Sequence, residues 1–338
     1  MRNAALKSSV FAMSFLSSDD RVRQEARAVF RPKGARELSF VTPAATKLTA
    51  VDFEAKRLKK TRDLIAHCDA YLAAADAAGS PFVAFPELTG LLALGVLPRA
   101  GAALDSLRES LADEEDSAAA ALEAVQITQG FLGEFFLNAF SELSRARGLL
   151  IAAGGFYVAE GGRILNRQFL FSEKGEVLTH QDKLILSPFE RALGISPCDT
   201  ICPADTRIGR VALLTASCAP HYEPFAAAAA LGCRAVTAGA SPFEEDTSLL
   251  RCRAQEQGLC VVSPGLHGGR DFGFSFSAKP VIYAPRSTLR ARDGVAARGA
   301  GEAAVTARID LSGECAAGDH YSADRNAAFF EALLKKEI

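Results

Sequence analysis

Three residues of this 338-residue chain stand at the ends of short apolar runs, and their types together can do covalent chemistry. Cys218 closes the run Val211–Ala212–Leu213–Leu214–Thr215–Ala216–Ser217 and is followed by Ala219, Pro220 and His221. Glu87 follows Phe82–Val83–Ala84–Phe85–Pro86. Lys183 precedes Leu184–Ile185–Leu186, and a second acid, Glu190, lies seven residues on. A cysteine attacks carbon as its thiolate, so it needs a neighbouring base or cation. Glu87 can be that base if partial burial lifts its pKa. Lys183 can hold the thiolate, then the oxyanion that forms on attack. Singly, each residue has an ordinary reading: a small buried hydrophobe, a solvated loop carboxylate, a lysine on a wet strand face. Together they predict nucleophilic catalysis. They also predict that Cys218 alkylates faster at neutral pH than the other cysteines, because Lys183 favours its thiolate.

Other catalytic plans are less well supplied. His221 is close to Cys218 in sequence, but nothing orders a His–Asn relay behind it. No Gly-x-Ser-x-Gly elbow is present, and no Gly-x-Gly-x-x-Gly follows the first strand, which disfavours a serine hydrolase and a dinucleotide enzyme.

The elements that must position these residues alternate between strands and helices. Val211 to Cys218 reads as a buried strand, then a tight turn and a helix from about Glu223 to Leu231. Leu38–Val41 is a short strand, Phe53 to Ala78 an amphipathic helix ended by Gly79–Ser80–Pro81, and Phe82–Phe85 a compact buried strand. Residues 91–130 form an Ala/Leu-rich, partly acidic helical insertion, with Asp113–Glu114–Glu115–Asp116, that is able to cover a cleft. Phe131 to Arg147 is a helix with an apolar stripe for the core. Leu149–Ala153 and Arg163–Ser172 are strands, and Glu173–Glu176 is a turn into a returning strand, Val177 to Leu186, that carries Lys183. Beyond Cys218 come a strand at Arg234–Ala238, a helix at Glu244–Gly258 and a strand at Leu259–Ser263. Strands at Phe274–Tyr283 and Ala303–Ile309 and a closing helix from Ala323 to Lys336 complete the chain. In such α/β sheets ligands sit at the carboxyl ends of strands, where Cys218 and Glu87 both fall.

The apolar fraction of 49% and charged fraction of 23% are those of a globular protein. A formal net charge of -2 gives no electrostatic reason for a nucleic-acid or membrane partner. No apolar run approaches the ~20 residues of a spanning helix, and Val10–Leu16 is too short and serine-broken for a signal peptide. A cytoplasmic location is expected. The eight cysteines are scattered, so no disulfide framework is implied. Cys198 and Cys202 are spaced like metal ligands, but no second Cys/His pair lies nearby, so no metal is expected. The economical organisation is an N-terminal extension over residues 1–36 and one α/β domain over 37–338.

Taken in order, the motifs resemble those of the nitrilase, or carbon–nitrogen hydrolase, superfamily over roughly residues 38–311. Phe82–Leu88 resembles that family's glutamate-bearing strand. Ile164–Asn166 through Gly175 to Lys183 resembles its strand pair leading to a catalytic lysine. Gly209–Cys218 resembles the strand of the nucleophile. Arg253–Ala254–Gln255–Glu256–Gln257 resembles its Arg-Ala-x-Glu-Asn segment, with Gln257 in the Asn position. The resemblance implies a four-layer α-β-β-α sandwich, a homodimer or larger homo-oligomer joined through the layer of the cysteine helix, no cofactor, and hydrolysis of a small-molecule amide or N-carbamoyl compound. It implies Glu87, Lys183 and Cys218 as the triad and Glu190 as the glutamate that positions the lysine and substrate. It implies that Lys183 and the Ala219 N–H hold the oxyanion. It also implies that the loop of Ala219, His221, Tyr222 and Glu223 lines the substrate pocket. Ala219 and Pro220 stand where the family commonly has an aromatic and an acidic residue, while Pro224 keeps a common family proline. The same thioester chemistry would serve an acyl or amide transferase using an amine in place of water. A non-catalytic binding descendant is the remaining alternative, and retention of Glu87, Lys183 and Cys218 argues against it.

Overall fold

In a computed structural model the described residues are 19–29, 45–97, 117–240, 248–272, 275–289 and 293–312, with Ala328. Helix α1 (Asp19–Val29) is followed by β1 (Thr46–Ala55), α2 (Thr61–Ala77) and β2 (Phe82–Ala84). Helix α3 (Ser117–Arg147) leads into β3 (Leu150–Glu160), β4 (Arg163–Phe171), β5 (Val177–Asp182) and the short helix α4 (Pro188–Ala192). Then come β6 (Ala204–Thr206), β7 (Gly209–Thr215), α5 (Glu223–Ala230), β8 (Ala235–Gly239), α6 (Leu249–Gln257) and β9 (Cys260–Ser263). The described part ends with β10 (Gly265–Gly268), β11 (Phe276–Ala278), β12 (Val281–Tyr283), β13 (Val295–Arg298) and β14 (Ala304–Ile309).

The strands form two sheets. One runs β11-β10-β1-β2-β3-β4-β5, with β14 also paired to β1, and the other runs β13-β12-β9-β8-β7-β6. Parallel pairs β1–β2 and β2–β3 centre the first sheet, and β7–β8 and β8–β9 centre the second. The central strands are apolar on both faces, as strands covered on both sides must be. Leu48, Phe82, Leu150 and Leu170 of the first sheet face Val211, Leu213, Val262 and Ile282 of the second in one dry layer. The outer face of the first sheet packs on α2 and α3 through a phenylalanine-rich core that includes Phe85, Phe136, Phe140 and Phe171. The outer face of the second packs on α5 and α6 through Leu214, Val236, Phe225 and Leu250. The architecture is the expected four-layer α-β-β-α sandwich. Arg207, between β6 and β7, ties the sheets at one end: it donates to the Pro81 and Gly148 carbonyls at 3.3 and 3.2 Å and pairs with Glu173 at 2.6 Å.

Several expected boundaries move. Residues 53–55 close a ten-residue strand, β1, and the helix begins only at Thr61. Polar Thr49 and Asp52 interrupt the apolar pattern of β1. Partners far along the chain satisfy them: Thr49 bonds the Thr306 hydroxyl at 2.7 Å, and Asp52 accepts from His267 at 3.0 Å. Helix α3 is one 31-residue helix from Ser117, longer than the stretch expected from Phe131. The expected strand Phe274–Tyr283 is divided into β11 and β12. Strand β5 stops at Asp182, so Lys183 lies one residue past its end. The expected strand Leu38–Val41, the acidic run Asp113–Asp116, the first residues of the Glu244–Gly258 helix and the closing helix Ala323–Lys336 (Ala328 apart) lie outside the described residues. Within the expected extension, α1 buries Val22 and Ala26 in the α2–α3 core. Among the described residues no helix is long and apolar enough to cross a membrane.

Candidate active site

Glu87 follows β2 by a tight turn. Leu88, directly after it, has φ 59° and is the only non-glycine residue at positive φ among the described residues. Such a backbone costs on the order of 1–3 kcal/mol and persists only where its surroundings hold it. They do so here by close approach. A Cβ on Gly154 would lie 2.1 Å from the Pro86 oxygen, and one on Gly239 would lie 3.0 Å from the Glu87 nitrogen. Two glycines, one from each sheet, therefore let the chain press against the Glu87 turn from both sides.

Lys183 continues the β4–β5 ladder by one bond, its N–H donating to the Asn166 carbonyl at 2.9 Å. Its Nζ lies 2.8 Å from Glu87 Oε1 and 2.8 Å from Glu190 Oε2. Glu190 sits in α4, where a capping box fixes it: its Oε2 accepts from the Ser187 N–H and hydroxyl, each at 2.9 Å. One carboxylate thus caps a helix and grips the lysine. Asn166, on β4, donates from Nδ2 to Glu87 Oε1 at 2.5 Å and to Glu190 Oε1 at 2.9 Å. The four side chains form one buried network of two acids, a lysine and an amide.

Cys218 arrives from the other sheet. β7 ends at Thr215, and a single 3₁₀ turn, Ala216–Cys218, carries the thiol. Ser217 Oγ donates to the Ile185 carbonyl at 2.7 Å, which fastens the cysteine turn to the loop just after Lys183. Arg253 of α6 holds the far side, donating to the Ala219 and Pro220 carbonyls at 3.0 and 3.2 Å. The Ala219 N–H, the expected oxyanion donor, is given to the Ala216 carbonyl at 2.8 Å in this turn. Lys183 has three N–H bonds and two carboxylate partners in the network, which leaves one N–H over.

Glu87, Lys183 and Cys218 are each 1% exposed and Glu190 is 0% exposed, so the cluster is shut from water. Burial pushes the Glu87 carboxyl up to about 7, against the pull of Lys183. Glu190 goes the other way. Burial opposes its charge, but Lys183 and the Ser187 amide outweigh it and hold the carboxyl below its ordinary range. Burial also opposes the Lys183 charge, and Glu87 and Glu190 overcome it, holding the ammonium above its ordinary range. Burial lifts the Cys218 thiol to about 11, although Thr215 and Lys183 favour its thiolate. Two carboxylates a lysine apart are thereby split into one that titrates near neutrality and one that ionises below its ordinary range.

The remaining loop residues lie apart. Ala219 is buried, whereas His221, Tyr222 and Glu223 are at the exposed surface. Cys202 and Cys252 are exposed while Cys218 is closed in and its thiol is held protonated. The alkylation order expected from sequence is therefore reversed: N-ethylmaleimide should label Cys202 and Cys252 before Cys218, because reaction needs both access and thiolate. Peptide mapping after a brief exposure decides it, and early labelling of Cys218 would mean that the site opens freely to solvent. Cys198 donates to the Asp182 carbonyl at 2.8 Å. Among the described residues, no group of three His, Cys, Asp or Glu side chains is arranged to hold a metal.

Two polar residues of the cluster escape a reading by sequence alone: Asn166 and Tyr157. They face each other across β3 and β4, a juxtaposition set by strand register and invisible to local periodicity.

The profile of the carbon-nitrogen hydrolase family matches residues 48–309. "Probable hydrolase YhcX" of Bacillus subtilis (strain 168) is 26% identical over 264 residues, which are 74% of this chain and 46% of that protein. The chain spans about half the length of that curated relative. Among solved structures, the C. elegans NitFhit protein has a TM-score of 0.63 at 15% identity, over 84% of this chain and 66% of that one. An amidase from Nesterenkonia sp. has a TM-score of 0.58 at 18% identity, over 89% of this chain and 100% of that one. At these identities the structural matches speak for the fold.

Proposed function

The chain belongs to the carbon–nitrogen hydrolase family, and on that premise we propose that it hydrolyses a non-peptide C–N bond, in a small amide or N-carbamoyl compound, through a thioester on Cys218. The observation that supports this reading is the buried bridging of Lys183 by Glu87 and Glu190, on the turn that Ser217 fastens beside Cys218.

Glu87 takes the Cys218 proton as sulfur attacks the carbonyl carbon. The oxyanion accepts from the third N–H of Lys183, in a dry site where such a donor is worth most. The C–N bond breaks as Glu87 returns the proton to the leaving nitrogen, so an amine or ammonia departs and a thioester remains. Water then enters, Glu87 removes its proton, and the tetrahedral adduct collapses to acid and thiol. Glu87 Oε2, buried and without a hydrogen-bond partner among the described residues, is the oxygen free for these transfers. Glu190 keeps Lys183 charged and in place. A homo-oligomer stays part of the proposal, supported by Tyr222, Leu231 and Leu249, which remain exposed on the α5–α6 layer. The mass of the protein in solution decides it.

An ammonia-release screen over small amides, N-carbamoyl compounds and nitriles, read beside intact mass for the acyl-enzyme, tests the reaction. No ammonia and no adduct across all three classes sinks it. Replacement of the base gives a sharper test. Glu87→Gln keeps the shape and removes the proton acceptor, so kcat/KM should fall about 100- to 10,000-fold. In the parent enzyme, activity should rise with pH through about 7, because that deprotonates the Glu87 group of the coupled cluster. The residual rate of Glu87→Gln should lack this acid limb. Near-normal turnover by that variant, or an unchanged limb, assigns the base elsewhere.

A further inference from the structure

Tyr157 lies at this cluster, and the steps above give it no task. In the β3–β4 register it is directly opposite Asn166, and residues so paired project from the same face of a sheet. From that face the Asn166 amide reaches both Glu87 and Glu190. The tyrosine ring packs against a small apolar cluster of Ala121, Ile164, Leu186, Leu193 and Ile195, which Phe189 and, from α3, Leu122 and Val125 also cover. Leu186 is three residues past Lys183, and Phe189 adjoins Glu190. The hydroxyl at the end of this ring is buried and has no hydrogen-bond partner among the described residues. Burial, reinforced by the charges of Glu190 and Glu87, holds it protonated far above the ordinary phenol range. It is therefore a standing donor. A buried hydroxyl without a protein partner calls for an explanation, and a ligand is one.

Resting on the hydrolase reading, we propose that the Tyr157 hydroxyl binds substrate directly. It would donate to an oxygen acceptor that the substrate carries beyond its scissile amide, at the end of a short apolar linker. The substrate class is then an amide with an acceptor-bearing chain, such as an ω-hydroxy amide, and a plain alkyl amide is the poorer ligand. The linker fits the apolar neighbours of the ring, and the terminal oxygen fits the hydroxyl. A site that hydrogen-bonds a polar group discriminates against the analogue without it, because the buried donor is then left unpaired.

Three pairs of compounds test this: glycolamide with propanamide, 3-hydroxypropanamide with butanamide, and 4-hydroxybutanamide with pentanamide. In each pair a methyl replaces the hydroxyl. Calorimetric titration in a Cys218→Ala background reads binding without turnover. At one linker length, adding Tyr157→Phe should weaken the hydroxy amide about tenfold. It should leave the methyl partner unchanged within about twofold. Equal weakening of both partners, no weakening of either, or no binding by any of the six overturns the assignment. A parent site that prefers the methyl partner at every length overturns it without any Tyr157 variant, and would leave a buried water as the partner of the hydroxyl. Ammonia release from the same compounds by the unaltered enzyme is scored separately. Selective binding without ammonia would remove the hydrolase reading and keep the Tyr157 assignment, whereas ammonia without selectivity would do the reverse.

Discussion

Cys218→Ala should abolish turnover while leaving the fold intact. The Ser187 hydroxyl of the Lys183 network is spent on Glu190, to which it donates at 2.9 Å. Thr215 and Ser217 are nearest to Cys218 in sequence, and their hydroxyls bond each other at 2.6 Å while Ser217 also donates to Ile185. A loss of at least about 10,000-fold in kcat/KM is expected, as when one member of a catalytic unit is removed. Among the described residues the thiol's side-chain hydrogen-bond contact is the long one to the Thr215 hydroxyl, at 3.9 Å, so its truncation costs little there. Its burial next to Ala219 and Leu214 means that the cost is one of small-volume loss, on the order of 1 kcal/mol. Ammonia release and a thermal melt on the same sample measure both quantities. Appreciable turnover by the folded variant would remove Cys218 from the mechanism.

Lys183→Met should damage the protein in both respects. The ammonium is the cation shared by two carboxylates whose side chains are fully buried. Removing one partner of a buried ionic group leaves charge without compensation, worth about 3–5 kcal/mol. The loss of the oxyanion donor should lower kcat by a further 100- to 1,000-fold, roughly. The pH dependence carries the sign. In the parent, Glu87 is raised from 4.5 to about 7, so its contribution is fully present below about 4.5 and is lost as pH rises through about 7. Glu190 is lowered, so its contribution is present above 4.5 and is lost on acidification below it. Without Lys183 the largest lowering influence on both acids disappears, leaving only the weaker Asn166 and Ser187 bonds against burial, so both carboxyls shift upward. The variant should therefore regain stability on acidification from pH 7 toward 5, where the parent gains less. Chemical denaturation at several pH values reads this. Equal pH dependence in parent and variant would mean that the lysine does not set the charge state of the cluster.

The residues at strand ends were legible because a short apolar run stops where the sheet stops, and the next polar residue must sit at its edge. That reasoning found Glu87 and Cys218; Lys183 stands before an apolar run rather than after one, and the two-sheet architecture followed only from the family resemblance. The same reasoning failed on β1, whose Thr49 and Asp52 look like breaks in an apolar pattern. Both are satisfied by residues more than 200 positions away, and local periodicity cannot register such a partner. The same blindness hid Asn166 as a bridge between two acids and Tyr157 as its cross-strand neighbour. The thiol's environment was misjudged for a different reason. A lysine nearby favours thiolate, but depth of burial decides the larger effect, and depth is a property of all four layers.

Glu87, Lys183 and Asn166 ride on one sheet and Cys218 rides on the other, so the groups proposed to react are held on opposite sides of the dry layer of Leu48, Phe82, Val211 and Leu213. That layer works as a spacer of fixed gauge. Its thickness is set by side-chain volume, and it fixes how far sulfur stands from base and cation. A change of one methylene there should alter the gauge. Drift in this chain should then be constrained far from the chemistry, since substitutions in the spacer must conserve summed volume to keep the two halves of the machine in mesh.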